Sequence, residues 1–342
     1  MKPELLGLLC CPECQGQLQA EEVRGTNGRW ESGTLTCACG QKFPIREFIP
    51  RFVPDDGYAG NFSFEWTKHS RTQIDSDASD RSWKTFFEKT AFPPEALRNK
   101  LVLDVGFGSG RFADVASKCG AEVIGIDLSF SIDAARHTFE KRQNIHMVQA
   151  DVFRLPFRAN TFDFIYSIGV LHHTPDCRRA FEQLPGLLVP GGQIAVWLYA
   201  RDLKTPSMAE RKLSLGERLR LAGHRCSMRV SDTYRLVTVR LNLRLLYFLC
   251  HAAVPYGPLA RIPLFGNLLK VALPMSYEKL SAWRVLDTFD WYSPRYQSKH
   301  TYDEVTAWFR EANLSDVEAI ERWPVAVRGT LRANAKAKGT AA

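Results

Sequence analysis

Two sets of residues have types and spacings that could do chemistry. The first is an aspartate followed by glycine at every second position, Asp104-Val105-Gly106-Phe107-Gly108-Ser109-Gly110, entered through Leu101-Val102-Leu103. A buried strand running into a tight turn and then a helix has this pattern, because glycine turns sharply and lets a ligand approach the backbone. About 20 residues on, where an acidic residue is placed to hydrogen-bond ribose hydroxyls, the run Glu122 to Ile126 ends in Asp127. Together these residues would hold an adenosine-containing ligand. The second set is two close cysteine pairs, Cys11-Pro12-Glu13-Cys14 and Cys37-Ala38-Cys39. Four thiolates in two pairs, separated by a strand-forming stretch, suit tetrahedral zinc.

The elements around the glycines narrow the ligand. A dinucleotide fingerprint needs a third glycine at position 111, and that residue is Arg111. The D-x-G-x-G-x-G spacing instead resembles the first motif of class I S-adenosylmethionine-dependent methyltransferases. The later segments keep that family's order: Gln149-Ala150-Asp151-Val152 after a third strand, Phe162 to Ser167 as a fourth, Leu171-His172-His173 opening the next helix, and Leu188-Val189-Pro190-Gly191-Gly192 before a fifth strand, Gln193 to Leu198. The resemblance covers roughly 99–199. It implies an α/β fold with a Rossmann-like, seven-stranded, mostly parallel sheet, the ligand lying at the carboxyl ends of the strands where the sheet order switches.

The same resemblance implies roles. Gly106, Gly108 and Gly110 would let the backbone approach S-adenosylmethionine. Asp104 would order the turn and meet the methionine amino group. Asp127, with Leu128 beside it, would hold the ribose, and Asp151 with Val152 the adenine; Ser167 completes the cofactor set. A general base would be needed only for an acceptor that loses a proton, and the candidates are His173 and His300. A histidine at 173 is also frequent in the family without a catalytic role.

The cysteine-rich segment, roughly 4–54, is similar to zinc-ribbon domains that include the activator subunits of tRNA and translation-factor methyltransferases. The ligands implied are Cys11, Cys14, Cys37 and Cys39, with a structural zinc ion. The second pair departs from the commoner C-x-x-C, and Cys10 stands next to Cys11. A ribbon this small has little core, so metal would supply much of its folding energy.

At 342 residues with 45% apolar content, the chain can hold one large and one small domain. The expected division is 1–54 zinc ribbon, 55–98 linker and lid, 99–200 cofactor-binding core, 201–286 basic helical insertion, 287–328 return of the core fold, and 329–342 disordered basic tail. In the lid, Phe64 and Trp66 are candidates to wall the pocket, Glu65 and His69 to touch the acceptor, and Arg81 to Phe92 reads as an amphipathic helix. Asp287 to Tyr296 reads as an aromatic, charged loop, with Asp290, Tyr292, Arg295 and His300 facing the acceptor.

Charge is unevenly placed. The chain carries +8 overall, yet residues 201–250 hold 11 Lys or Arg against 4 Asp or Glu, and 328–342 hold four basic residues and no acid. In the insertion Leu236, Val239, Leu243, Leu246 and Leu249 recur at helical spacing among arginines. Such a segment suits peripheral contact with an anionic membrane through 201–260, RNA phosphates, or a cap over the site with a solvated outer face. No leader-like stretch opens the chain and no apolar run reaches ~18 residues, so a cytoplasmic protein is expected, with contact at the inner membrane surface as an option. The acceptor is a small molecule or a lipid-linked compound, or alternatively RNA. Ser167-Ile168-Gly169-Val170 lacks the Asn/Asp-Pro-Pro-aromatic motif of nucleic-acid base methylation. A third reading is a non-catalytic scaffold, against which Asp104, Asp127 and Asp151 stand intact.

Overall fold

The computed structural model describes residues 1–333 except 70, 71, 77, 78, 254, 255, 263, 279 and 323. The expected tail from 329 therefore begins inside a strand, and 334–342 lie outside the described residues.

The first unit is an antiparallel sheet of four strands: β1 (Leu18–Thr26), β2 (Arg29–Cys37), β3 (Lys42–Arg46) and β4 (Ile49–Pro50). Its own core is thin, and it is completed by what lies behind it. Leu9, Leu35 and Ile45 pack in one apolar cluster with Val148, Ala150 and Phe157 of the following domain. Burying side chains of this size contributes about 1.5–3 kcal/mol each. Polar contacts fix the docking: the Phe52 amide donates to the Gln149 carbonyl at 2.8 Å and the Cys10 amide to the Pro156 carbonyl at 3.0 Å. Arg51, only 8% exposed, pairs with Asp133 and donates to the Gln149 side-chain oxygen at 2.8 Å.

The second unit is a seven-stranded sheet. In chain order its strands are β5 (Leu101–Val105), β6 (Glu122–Asp127), β7 (Ile145–Gln149), β8 (Phe162–Ile168), β9 (Leu188–Trp197), β10 (Leu314–Ala319) and β11 (Ala326–Leu331). The spatial order is β10-β11-β9-β8-β5-β6-β7, and only β11 runs against its neighbours. β5 and β8 are buried nearly throughout, as parallel strands covered on both faces require. Helices α3 (Arg111–Lys118), α4 (Ser131–Phe139) and α5 (Cys177–Glu182) cross between strands, and α11 (Tyr302–Glu311) leads into β10. The sheet order switches between β5 and β8, so a crevice opens above the carboxyl ends of β5, β6 and β8.

Two helices from the linker lie over that crevice, α1 (Gly60–His69) and α2 (Arg81–Thr90). The insertion after β9 supplies α6 (Pro206–Ala209), α7 (Leu215–Thr238), α8 (Leu243–Ala253), α9 (Phe265–Ala272) and α10 (Ser281–Tyr292). α7 starts with a reciprocal cap, in which the Ser214 hydroxyl accepts from the Glu217 amide and Glu217 accepts from the Ser214 amide. The leucine stripe expected from 236 to 249 is split, because the chain leaves helical geometry between Thr238 and Leu243. Leu246 turns inward while Leu236 and Leu249 stay exposed. The segment expected as a loop, Asp287 to Tyr296, is helical as far as Tyr292. Val285, Phe289 and Tyr292, at helical spacing, bury against Leu246 and Cys250 of α8.

Candidate active site and metal centre

One cavity of about 710 Å³ occupies the crevice. Its floor is made by strand ends: Val105, Gly106 and Gly108 after β5, Asp127 and Leu128 at β6, Ala150 and Val152 after β7. Asp127 organises this floor. Its Oδ2 accepts from the Gly108 amide at 2.8 Å, and its Oδ1 accepts from the Ser129 amide at 2.8 Å and hydroxyl at 2.6 Å. Burial pushes the Asp127 carboxyl above its usual range, and those donors oppose the shift. Oδ2 takes a single bond, so a lone pair remains for a ligand hydroxyl.

The glycines act differently. At Gly108 (φ +52°) a Cβ would stand 3.2 Å from the Trp66 indole of the lid helix. At Gly110 (φ +78°) a Cβ would stand 2.3 Å from the Phe139 ring, so this glycine serves packing inside the domain and does not line the cavity. Asp104 is buried beneath the floor beside Tyr166, and burial holds its carboxyl well above the usual range. The Ser167 hydroxyl donates to the Val105 carbonyl at 3.0 Å, tying β8 to β5. Asp151 accepts from the Phe153 amide at 3.0 Å. None of these three lines the cavity, although their neighbours do.

The other end of the cavity is built by side chains from distant segments. Glu65 and Trp66 come from α1, Lys89 from α2, Arg111 from the start of α3, Trp197 and Tyr199 from the end of β9, and Trp283, Asp287 and Asp290 from α10. Asp290 accepts from the Tyr199 hydroxyl at 2.8 Å. Burial pushes Asp287 and Asp290 each up to about 6. Glu65 is 1% exposed, its Oε2 has no hydrogen-bond partner among the described residues, and burial beside Asp290 and Asp287 holds its carboxyl well above the usual range. Three facing carboxyls cannot all ionise cheaply in such a place. Burial also pulls Arg111 down to about 10 and Lys89 well below the usual ammonium range. Lys89 Nζ sits 3.2 Å from the centre of the Trp197 ring.

His173 reaches the cavity. Its Nδ1 lies 3.1 Å from the Tyr296 carbonyl oxygen, which can only accept, so Nδ1 carries the proton. Nε2 then presents a lone pair, and it is buried without a partner among the described residues. Burial pulls this imidazole down to about 3, so it is neutral in ordinary buffers. His300 lies off the cavity, held between the Ser298 hydroxyl at 2.7 Å and Glu304 at 3.1 Å. Of the other acceptor candidates, Trp66, Glu65 and Asp290 line the cavity, and Phe64, His69, Tyr292 and Arg295 do not. Phe64 packs on Tyr247 and Phe289, the His69 ring bonds the Tyr247 hydroxyl at 2.9 Å, and Tyr292 bonds the Pro274 carbonyl. Sequence reading passed over Lys89, Arg111, Trp197, Tyr199 and Asp287. A signal existed for Lys89, which shares the apolar face of an amphipathic helix with Phe86.

The candidate metal centre is compact. The sulfurs of Cys11, Cys14, Cys37 and Cys39 all lie within 4.8 Å of one another, with Cys11–Cys39 at 3.7 Å and Cys14–Cys37 at 3.5 Å. A tetrahedron with Zn–S bonds of ~2.3 Å needs sulfurs ~3.8 Å apart, so the four thiols fit zinc. Gly16 leaves room for them, since a Cβ there would stand 3.1 Å from the Cys14 sulfur. Cys10 points elsewhere, its thiol donating to Gln15 at 3.1 Å. The short Cys37-Ala38-Cys39 spacing closes on the cluster through a turn in which the Gly40 amide donates to the Cys37 carbonyl at 2.9 Å.

Two segments of the chain match known protein families. Residues 103–196 match the model of a methyltransferase domain family, and residues 2–47 that of the Trm112p-like proteins. The ubiquinone biosynthesis O-methyltransferase of Coxiella burnetii is 37% identical over 110 residues, 32% of this chain and 47% of that protein. The tRNA U34 carboxymethyltransferase of Psychromonas ingrahamii is 34% identical over 124 residues, 34% of this chain and 38% of that protein. An S-adenosylmethionine-dependent methyltransferase of known structure from Mesorhizobium loti aligns with 29% identity and a TM-score of 0.30, over 33% of this chain and 51% of that one. The chain spans about half or less of the length of these relatives. It carries a Trm112p-like zinc-ribbon domain followed by a methyltransferase domain of Rossmann-like fold.

Proposed function

We propose that this protein transfers a methyl group from S-adenosylmethionine to a small-molecule or lipid-linked acceptor. The observation that carries the reading is the continuity of one cavity. The Asp127-braced glycine turn lies at one end, and Glu65, the Asp290–Tyr199 pair and His173 lie at the other. When bound, the cofactor would supply a methyl group on a sulfonium, open to in-line attack by an acceptor atom, with S-adenosylhomocysteine as the leaving group. The backbone at Gly106 and Gly108, the Asp127 carboxylate, Leu128 and Val152 would hold it, and Asp104 would stiffen the turn from below. Trp66 would shut the lid over the turn and keep water out.

The acceptor would lie among Trp66, Trp283 and the carboxyls. An acceptor hydroxyl that is methylated must lose its proton. Two groups can take it, the bare Nε2 of His173 and the Asp290 carboxylate, whose value near 6 suits a base at neutral pH. Asp290 is the better placed in energy, because burial makes the His173 imidazolium unfavourable. The main contribution of the site is alignment.

RNA is the second reading, favoured by the basic residues of 201–250 and the Trm112p-like ribbon. The buried carboxyls at the acceptor end repel a phosphate chain, which ranks it below the first. Isothermal titration with S-adenosylhomocysteine tests the cofactor end, and micromolar binding that disappears in Asp127→Ala supports it. Absence of binding by the zinc-loaded protein would favour a scaffold. Product formation is then assayed with phenolic compounds, polyprenyl-linked compounds and bulk tRNA, and turnover on tRNA alone overturns the acceptor assignment.

A further inference from the structure

The helical insertion has its amphipathicity partly inside out. α8 buries Leu246 and Cys250 against Val285, Phe289 and Tyr292 of α10, which satisfies the fold. Its other face carries Leu245, Phe248 and Leu249 into solvent, Phe248 at 67% exposure. α9 does the same with Phe265 and with Leu268 at 67% exposure. Leu264, at the start of α9, is 85% exposed and held at φ +63° and ψ −58°, a backbone conformation that leucine rarely adopts. These six large apolar side chains, left exposed within 24 residues of sequence on or beside α8 and α9, are not scattered surface hydrophobics and mark an interaction face.

The stretch of sequence that carries these residues has charge of one sign. Between Asp232 and Glu278 the sequence contains no Asp or Glu. Arg240, Arg244 and Lys270 are exposed there. We propose that the exposed faces of α8 and α9, with Leu264 at the start of α9, dock this protein on an anionic lipid surface. Leu264, Phe248 and Leu268 enter the boundary between headgroups and acyl chains, while Arg240, Arg244 and Lys270 meet the phosphates. Charge complementarity selects this occupant. A second copy would bring the same positive charge against itself, and a nucleic acid would match the cations but gain nothing from exposed leucine and phenylalanine. Among the described residues no helix is long and apolar enough to cross a membrane, so the contact is one of lying on the surface. α10 joins the two regions, packing on α8 with Val285 and Phe289 and lining the cavity with Leu286 and Asp290. Docking therefore sets the acceptor end of the cavity close to the lipid. The docking stands without the methyltransferase reading, since it rests on surface residues outside the cavity.

Co-sedimentation of the full chain with vesicles tests this. The vesicles are phosphatidylcholine alone or phosphatidylcholine with about one third phosphatidylglycerol. Binding is expected to the anionic vesicles, falling about tenfold or more as salt rises from low to high ionic strength. Phe248→Glu with Leu268→Glu should weaken it by about a hundredfold, and Arg240→Gln with Arg244→Gln by about tenfold. Unchanged thermal unfolding and S-adenosylhomocysteine binding in both pairs would show that the fold is intact. Equal pelleting of the glutamate variant, or no pelleting with anionic vesicles, overturns the proposal. So does a lipid-free dimer in sedimentation velocity that the glutamate pair dissociates, or a preference for RNA over vesicles in competition.

Discussion

The two ends of the cavity are built by different means. The cofactor end is backbone and strand ends: a glycine turn, one aspartate that accepts from it, and residues that follow β6 and β7 directly. The acceptor end is side chains from five segments, with Glu65 and Asp290 separated by more than 200 residues of sequence. At the first end the buried acid is matched by three short donors. At the second, three acids face each other, and Glu65 keeps an oxygen without a partner among the described residues. A site for a fixed ligand can be satisfied in advance; a site for reaction keeps unspent hydrogen-bonding capacity.

The largest effect should come from the metal, because the ribbon braces only the cofactor end. Arg51 and Phe52 hold Gln149, and the next residues, Ala150 and Val152, are cavity floor. Dialysis against a zinc chelator, or Cys14→Ser with Cys39→Ser, should lower Tm by about 10 °C or more in calorimetry. Affinity for S-adenosylhomocysteine should fall about tenfold in the same samples. A metal-free protein with unchanged Tm and affinity would break the link between ribbon and floor.

Asp127→Ala and Asp290→Asn should then separate the ends. Removing Asp127 strips three donors of their acceptor and should weaken S-adenosylhomocysteine about a hundredfold by titration. Asp290→Asn should leave that affinity within about twofold and lower turnover on an acceptor hydroxyl about a hundredfold. If Asp290→Asn weakened cofactor binding as much as Asp127→Ala, the cavity would be one coupled site.

This division also explains how far the sequence could be read. Gly106, Gly108, Asp127 and the four cysteines are legible because a turn, a strand end or a metal cluster fixes residue type and spacing locally. The five strands around the motifs follow from local pattern, and the seven-stranded sheet from the resemblance to the methyltransferases. Lys89, Arg111 and Tyr199 carry no spacing that relates them; only the packing of α1, α2 and α10 over the sheet brings them together. His300 was a plausible choice in a polar segment, yet its ring bridges Ser298 and Glu304 at the cap of α11. The segment 287–292 read as a loop because its charges and aromatics obscure a helical stripe, Val285, Phe289 and Tyr292, whose partners lie about 40 residues earlier in α8.

A smaller effect sharpens the boundary between floor and lid. Gly108→Ala places a methyl group at φ +52°, 3.2 Å from Trp66. The left-handed conformation alone costs about 1 kcal/mol, so Tm should fall by about 2 °C in calorimetry. Adding Trp66→Ala should recover only the part due to the contact, and full recovery would mean that the backbone is not under strain.

The smallest effect has opposite signs at the two ends. Asp290 is held near 6 by burial, against ~3.9 in an unfolded chain. Below about pH 4 both states hold the proton and the group contributes nothing to the pH dependence. From about pH 4 to 6 the unfolded chain ionises first, so stability falls as pH rises, and the full cost is present above about 6. Asp290→Asn cannot ionise and still accepts from Tyr199. Its stability should therefore match the parent's below pH 4 and exceed it above pH 6, by about 1 kcal/mol after allowing for water in the cavity. Asp127→Asn should do the reverse. Its amide has one accepting oxygen for donors on both sides, so its NH₂ must face either the Gly108 or the Ser129 amide. That mismatch costs about 1–2 kcal/mol and persists at pH 8. Thermal melts of the two asparagine variants from pH 3 to pH 8 measure both. Stabilisation by both would mean that Asp127 is strained like the acceptor-end acids; destabilisation by both would mean that Asp290 is braced by donors as Asp127 is.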